Sequence, residues 1–126
     1  MSFVNNARTR AASLPFGNEE KLVLDFLIVN GVGRMNAQPW GVLEAYLSSN
    51  GVSMTQQRFQ QGILKQTREN DVFIGSNDHG RSRGYFLIDT IQDAEMMRDW
   101  YQRRIDTEQN RLDNLRTRAA SRGWRI

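Results

Sequence analysis

Residues 39–70 read PWGVLEAYLSSNGVSMTQQRFQQGILKQTREN, and this stretch decides the fold. Pro39 suits the first turn of a helix, because the N–H that proline lacks would have no partner there. Four apolar residues follow at helical spacing, Trp40, Leu43, Tyr46 and Leu47. Asn50-Gly51 ends this helix, and Ser53-Met54-Thr55-Gln56 is a capping-box pattern that opens another, which reaches about Asn70. Only a short turn separates the two helices, so the stretch predicts a helix-turn-helix.

On the N-terminal side of this pair, the sequence predicts a helix and a brief strand. Asn18 is a good helix cap, and Glu19 and Glu20 occupy the first turn, where the helix dipole favours anions. Residues 22–29 are almost entirely apolar, so we expect this helix to be central to the core. Residues 33–37 are too short and polar for a helix and are expected to form a brief strand. Residues 1–17 show no periodicity and are interpreted as a flexible basic arm.

On the C-terminal side, the pattern predicts a hairpin and then a long helix. Residues 72–75 and 84–88 are apolar runs typical of strands, and the stretch between them is rich in turn-forming residues. A second capping box, Asp89-Thr90-Ile91-Gln92, starts a helix that meets no breaker before Gly123. The fold class is therefore expected to be α+β. We expect a winged helix-turn-helix domain over residues 18–89, a long C-terminal helix over 90–122 and a tail over 123–126.

Composition excludes several classes of function. The 126 residues include no cysteine and one histidine, His79, which removes disulfides and thiol nucleophiles and argues against a zinc site. Neither a phosphate-binding glycine motif nor a cluster of carboxylates is present, so we expect no enzymatic activity and no cofactor. No apolar run approaches the roughly 20 residues that span a bilayer, and a cytoplasmic protein without a membrane partner or a small-molecule substrate is expected.

The distribution of charge points to a polyanionic partner. The formal net charge is only +3, but arginines without acids concentrate near both ends, in residues 1–17 and 116–126. Basic ends on a nearly neutral body are typical of proteins that bind nucleic acid, although two solvated tails would look the same.

The second helix of the pair presents a polar stripe. At 100° per residue, five side chains lie on the side opposite Phe59, and they are Gln57, Arg58, Gln61, Lys65 and Arg68. Glutamine pairs with adenine and arginine with guanine in the major groove of DNA. An ordinary solvated face is the alternative, but such faces usually carry more glutamate. The stripe therefore predicts contacts to double-stranded DNA.

Two further basic segments are candidate DNA contacts. Arg81 and Arg83 lie at the hairpin tip, which in winged folds contacts the backbone or the minor groove. Arg8 and Arg10 lie in the expected N-terminal arm, and disordered arms of this kind enter the minor groove in homeodomains. Solvated surface positions are the alternative for both pairs.

The long helix carries a narrow apolar seam in its second half. The seam consists of Ile105, Leu112, Leu115 and Ala119, with polar Glu108 between the first two. Such a seam stabilises an isolated helix poorly, so pairing with a second copy as a homodimer is predicted. Pairing with another protein and folding back on the chain's own domain are the alternatives.

Two short motifs resemble those of a known group of proteins. Residues 33–37 read GRMNA and residues 84–90 read GYFLIDT, on either side of the helix pair. The chain is similar to small winged-helix proteins of bacteriophages and mobile elements, which have a Gly-Arg-x-Asn-Ala segment and a Gly-Tyr-aromatic strand leading into a long charged helix. The resemblance implies a DNA-binding regulator or accessory factor that reads DNA with Gln57, Arg58, Gln61 and Lys65. This helix is glutamine-rich where the group is usually arginine-rich.

A rival interpretation keeps the fold and changes the partner. Winged helices also serve as assembly surfaces, and a net charge of +3 is modest for a DNA-binding protein. The alternative function is therefore a non-enzymatic interaction module, an adaptor or an inhibitor. Binding to a duplex that weakens steeply with salt distinguishes the two.

Overall fold

A computed structural model describes residues 3–78 and 83–126. Its elements are, in order, helix α1 (Phe3–Ser13), α2 (Glu19–Asn30), a 3-10 turn (Arg34–Asn36), α3 (Trp40–Ser49), α4 (Gln56–Arg58), a π-helical turn (Phe59–Ile63), α5 (Leu64–Glu69), strands β1 (Ile74–Asn77) and β2 (Gly84–Leu87), and α6 (Ile91–Ser121). The chain divides into two compact units, one up to Ala94 and one from Glu95 to Ile126. Helices with one small antiparallel sheet and a long C-terminal helix confirm the α+β class.

The helix α2 lies at the centre of the core, as its composition predicts. Val23, Leu24 and Leu27 are fully buried, together with Leu43 of α3 and Phe59 of the π-helical turn. The predicted cap is confirmed, because the Asn18 side chain accepts a hydrogen bond from the Lys21 N–H at 3.1 Å.

α4, the π-helical turn and α5 follow one another without a break and form the second helix of the predicted pair; we call residues 56–69 the interrupted helix. Its cap is Thr55, whose hydroxyl accepts from the Arg58 N–H at 3.1 Å, so the predicted start at Ser53 is wrong. Met54, which precedes this cap, is buried. The helix ends at Glu69, one residue from its predicted end.

The sheet is an antiparallel hairpin whose second strand also contacts the segment before α3. Ile74 pairs with Leu87 and Asn77 with Gly84, so β1 begins two residues later than predicted. Residues 33–37 do not form the predicted strand, because Gly33 has a φ of 82° and Arg34–Asn36 make a 3-10 turn. The residues that flank this turn still pair with β2, through isolated bridges from Val32 to Leu87 and from Gln38 to Tyr85.

The predicted flexible arm is wrong for the described part of residues 1–17, because Phe3–Ser13 form α1. Val4, Ala7 and Ala11 are buried on one face of α1, which packs against α2. Their spacing of three and four residues is helical, but two of the three are alanines, which give a weak apolar signal. The Lys21 ammonium fastens the two helices together by donating to the Ala11 carbonyl at 2.8 Å.

The helix α6 begins and ends close to its predicted bounds. The Asp93 N–H donates to the Thr90 hydroxyl at 3.2 Å, so the cap is Thr90, one residue after the first residue of the second capping box. The chain turns at Gly123, where φ is 78°, and the N–H of Trp124 donates to the Ala119 carbonyl at 2.9 Å. Among the described residues, no helix has both the length and the apolarity that crossing a membrane requires.

Candidate nucleic-acid interface

The interrupted helix is anchored by a buried face. Phe59, Ile63 and Thr67 recur every four residues and are all buried. The Phe59 ring contacts the Trp40 ring at a centroid distance of 5.2 Å and the Tyr85 ring at 4.7 Å. Aromatic contacts on two sides hold the helix in a fixed orientation against α3 and β2, and a rigid support is what a recognition surface needs.

The opposite side of this helix is polar and exposed. We call Gln57, Gln61, Lys65 and Arg68 the polar row, and all four are exposed, as the helical spacing predicts. Within the described residues, no hydrogen bond or ion pair engages any of these side chains. The row contains no acid, and Glu69 follows it at the helix end. It therefore presents two amides and two cations to solvent.

Arg58, the fifth residue of the predicted stripe, is already engaged. Its guanidinium forms an ion pair with the Glu19 carboxylate at the start of α2. Both side chains are partly exposed, at 56% and 32%, and a pair of this kind contributes little to stability. Arg58 can therefore exchange Glu19 for a phosphate, but it is not a free base reader in this structure.

Two glutamines that the sequence analysis missed link the helix to the hairpin. The side-chain amides of Gln56 and Gln60 donate to the Tyr85 hydroxyl at 3.0 Å and 2.8 Å. The sequence shows that the two glutamines are four residues apart and therefore lie on one side of a helix. It does not show their common acceptor, which lies 25 or more residues away in the chain. Gln56 and Gln60 thus position the first turns of the interrupted helix against β2.

A cleft of about 450 Å³ opens between this helix and the hairpin. Its lining includes Trp40, Gln56, Gln60, Asn77, Arg83 and Tyr85. Amides, a hydroxyl and a guanidinium share this lining with the rings of Trp40 and Tyr85, so the cleft offers both hydrogen-bonding groups and apolar surface. The π-helical turn forms the adjoining part of the helix, and such turns are frequent at functional sites.

The predicted hairpin contacts are described only in part. Arg83 is exposed, and its Nε donates to the Asp78 carbonyl at 3.1 Å. Both residues lie next to the last strand pair, Asn77 and Gly84. Arg81 and His79 lie outside the described residues.

The two N-terminal arginines have different environments. Arg8 is exposed on α1. Arg10 instead binds the buried carboxylate of Glu20, with Nε 2.6 Å from one oxygen and Nη2 3.0 Å from the other. The hydrogen bond that Arg10 donates to this carboxylate raises the pKa of Arg10 above its usual value. Arg10 therefore holds α1 on α2, and its role as a DNA contact stays a prediction for a guanidinium that a fold contact already occupies.

The predicted seam on α6 is exposed along most of its length. Ile105 is 59% exposed, Leu112 39% and Leu115 57%. Ala119, the last residue of the predicted seam, is buried within its own chain, where the turn at Gly123 folds back over it. Tyr101 is 44% exposed and extends the apolar face toward the start of the helix.

The described residues contain no group of three or more histidine, aspartate or glutamate side chains able to hold a metal ion. Among the described residues, the interrupted helix presents amides and cations beside the cleft. Amides and cations on such surfaces bind ligands by hydrogen bonding and charge, and both act on a polyanion.

Comparison with known proteins gives no relative. No family model matches the chain, no curated protein matches it, and no solved structure matches it.

Proposed function

We propose that this protein binds double-stranded DNA through a winged helix-turn-helix, as a transcriptional regulator or an accessory factor of a phage or mobile element. The order of α2, α3, the interrupted helix and the β1–β2 hairpin supports the winged-helix assignment. In such folds the second helix of the pair enters the major groove and the hairpin contacts the flanking backbone.

One observation carries the proposal, namely the polar row on a helix that is fixed from behind. Gln57 to Arg68 spans 12 residues, and the 11 steps between them cover about 16 Å at 1.5 Å per residue. That length covers about five base pairs at 3.4 Å each, which suits a helix lying in one major groove. Since Phe59 and Ile63 are buried, the row can be presented to DNA without disturbing the core.

The chemistry of the row predicts what is read. Gln57 and Gln61 have the donor and acceptor pair that matches N6 and N7 of adenine. Lys65 and Arg68 have the charge to bind phosphate, which positions the helix without selecting a sequence. We therefore expect adenine-containing sites and a larger share of phosphate contacts at the C-terminal end of the helix.

Selectivity of duplex binding tests this assignment. Sites are first selected from a random duplex pool with the full chain. Gln57→Ala with Gln61→Ala is then expected to reduce the preference for the selected site by about 30-fold or more, since two good base contacts at about 1–3 kcal/mol each contribute on the order of 2–6 kcal/mol. Affinity for unrelated duplexes should stay nearly constant, because phosphate contacts dominate nonspecific binding.

Gln66→Ala is the matched control for this pair of changes. Gln66 is an exposed glutamine on the same helix but outside the polar row. It should leave both affinity and selectivity unchanged. An unaltered preference in the Gln57 and Gln61 variant, or an equal loss in the Gln66 control, contradicts readout by the row.

A further inference from the structure

The helix α6 has an exposed apolar face. Tyr101, Ile105, Leu112 and Leu115 fall within an arc of about 80° at 100° per residue. All four are exposed large side chains. A groove of about 470 Å³ runs along this face and is lined by Tyr101, Arg104, Ile105, Glu108, Gln109 and Leu112. A face of this width is typical of a helix that packs against one other helix.

Both borders of the apolar face are basic or neutral. One border consists of Arg104, Arg111 and Arg118, and the other of Arg98, Gln102, Gln109 and Arg116. The aspartates of the helix, Asp99, Asp106 and Asp113, recur every seven residues and lie about 120–160° from the middle of the face. The positive charge therefore lies along the edges of the apolar face, and the negative charge lies mainly behind it.

Local pairs reduce this positive charge only slightly. Arg111 contacts Glu108 at 2.6 Å and Arg98 contacts Asp99 at 3.0 Å, both on the exposed surface. Exposed pairs of this kind are weak and can be exchanged for an acid of a partner. The Arg104 guanidinium stacks over the Trp100 ring at 4.8 Å, which leaves its charge beside the groove.

A second copy of the chain is a poor occupant of this face. In a parallel pair, Arg111 of one helix lies across from Arg116 of the other, and Glu108 faces Glu108 within the seam. In an antiparallel pair, like borders meet, so that Arg104 lies across from Arg111. Either arrangement opposes like charges, and Ala119 is unavailable to lengthen the seam. The homodimer remains a prediction that this charge pattern opposes.

Nucleic acid as a partner would account for the arginine borders of α6 but not for its apolar face. Phosphates would satisfy the arginines, but they offer no apolar surface for Ile105, Leu112 and Leu115. A helix with leucines on one face and acids on both borders satisfies both features at once. Charges that border an apolar seam determine which partner a helix accepts.

We propose that α6 docks an acidic amphipathic helix of another protein. The partner helix supplies an apolar stripe against Tyr101, Ile105, Leu112 and Leu115, and glutamates or aspartates on either side face the arginine borders. This interaction is independent of the polar row on the interrupted helix, so each proposal can fail without the other.

Two synthetic helices of about four heptads test the proposal, and both carry isoleucine and leucine in the seam. One has glutamate on both borders and the other has lysine. The full chain is expected to bind the acidic peptide at least about tenfold more tightly than the basic one, as measured by fluorescence anisotropy or calorimetry. The preference should shrink as salt rises.

Two variants separate the apolar and the charged contributions. Leu112→Gln with Leu115→Gln changes no charge and preserves helix propensity, and it should abolish binding of the acidic peptide. Arg104→Glu, Arg111→Glu and Arg118→Glu together should reverse the preference toward the basic peptide. The matched control places three glutamates at the same spacing on the opposite side, through Arg103→Glu, Asn110→Glu and Thr117→Glu, and should retain the original preference.

Three results would overturn the proposal. The first is equal affinity for the two peptides, with no reversal in the arginine variant. The second is a dimer of the unmodified chain alone at tens of micromolar in sedimentation equilibrium, dissociated by the Leu112 and Leu115 changes. The third is duplex DNA that binds through these arginines and is unaffected by the leucine changes.

Discussion

Gly84→Ala is expected to destabilise the protein by about 3 kcal/mol or more, through strain and overpacking together. Gly84 has a φ of 134°, a region that L residues rarely adopt. A Cβ at this position would lie 2.0 Å from the carbonyl oxygen of Gln38 and 2.6 Å from the Pro39 nitrogen. These are backbone atoms that cannot rotate away. The bridge between Tyr85 and Gln38 would therefore have to open, which detaches β2 from the segment before α3.

Thermal or urea unfolding of the variant measures this effect. A loss of this size lowers the Tm of a domain of roughly 90 residues by about 10–20 °C. Gly41→Ala is the matched control, because a Cβ there meets nothing within 4 Å and Gly41 lies in the first turn of α3. It should leave stability unchanged or raise it by up to about 1 kcal/mol. A Gly84→Ala protein as stable as the Gly41→Ala protein contradicts the close approach of the two segments.

Arg10→Ala is expected to destabilise the fold by about 3 kcal/mol, because it leaves the buried carboxylate of Glu20 without its cation. Glu20 is only 2% exposed, and the guanidinium occupies both of its oxygens. Arg8→Ala changes the same residue type on the same helix but at an exposed position. Its effect should stay within about 0.5 kcal/mol.

A double-mutant cycle isolates this interaction. Glu20→Gln removes the buried charge, so adding it to Arg10→Ala should recover part of the lost stability. The cycle is measured by urea unfolding of the two single variants and the double variant. Additive losses without recovery, or an Arg10→Ala protein as stable as the Arg8→Ala protein, show that the pair does not hold α1 on α2.

Strong local signals in the sequence predict most of the helices and the hairpin. Asn18 and Thr90 are caps that bind backbone within three residues, and Asn50-Gly51 stops α3 at the predicted place. Local hydrogen bonds of this kind depend on neighbouring residues alone, so a short sequence pattern is enough to predict them.

Local sequence patterns do not predict features that depend on residues far apart in the chain. The helix α1 is stabilised by small buried residues and by the contact of Arg10 with Glu20 on another element. The Tyr85 hydroxyl joins Gln56 and Gln60 only after the hairpin has folded against the helix. At the candidate interface, helical periodicity predicts the exposure of the polar row, but it cannot show that Arg58 is paired with Glu19 or that Arg10 is not free.

The central claim is that the chain binds duplex DNA by charge and reads it with the polar row. Titration of a fluorescent duplex with the full chain, repeated between 50 and 200 mM salt, tests this claim most directly. With Lys65, Arg68, Arg81 and Arg83 on phosphates, the slope of log K against log salt should be about −3 to −4, at roughly 0.9 for each contact. Lys65→Ala with Arg68→Ala should reduce its magnitude by about 2.

A neutral change of the borders on α6, Arg104→Gln with Arg111→Gln and Arg118→Gln, is the control and should leave the slope unchanged. We expect a steep slope of log K against log salt, and we expect this slope to depend on Lys65 and Arg68. No duplex binding at 50 mM salt, or a slope that ignores Lys65 and Arg68 and falls with the α6 arginines, contradicts it.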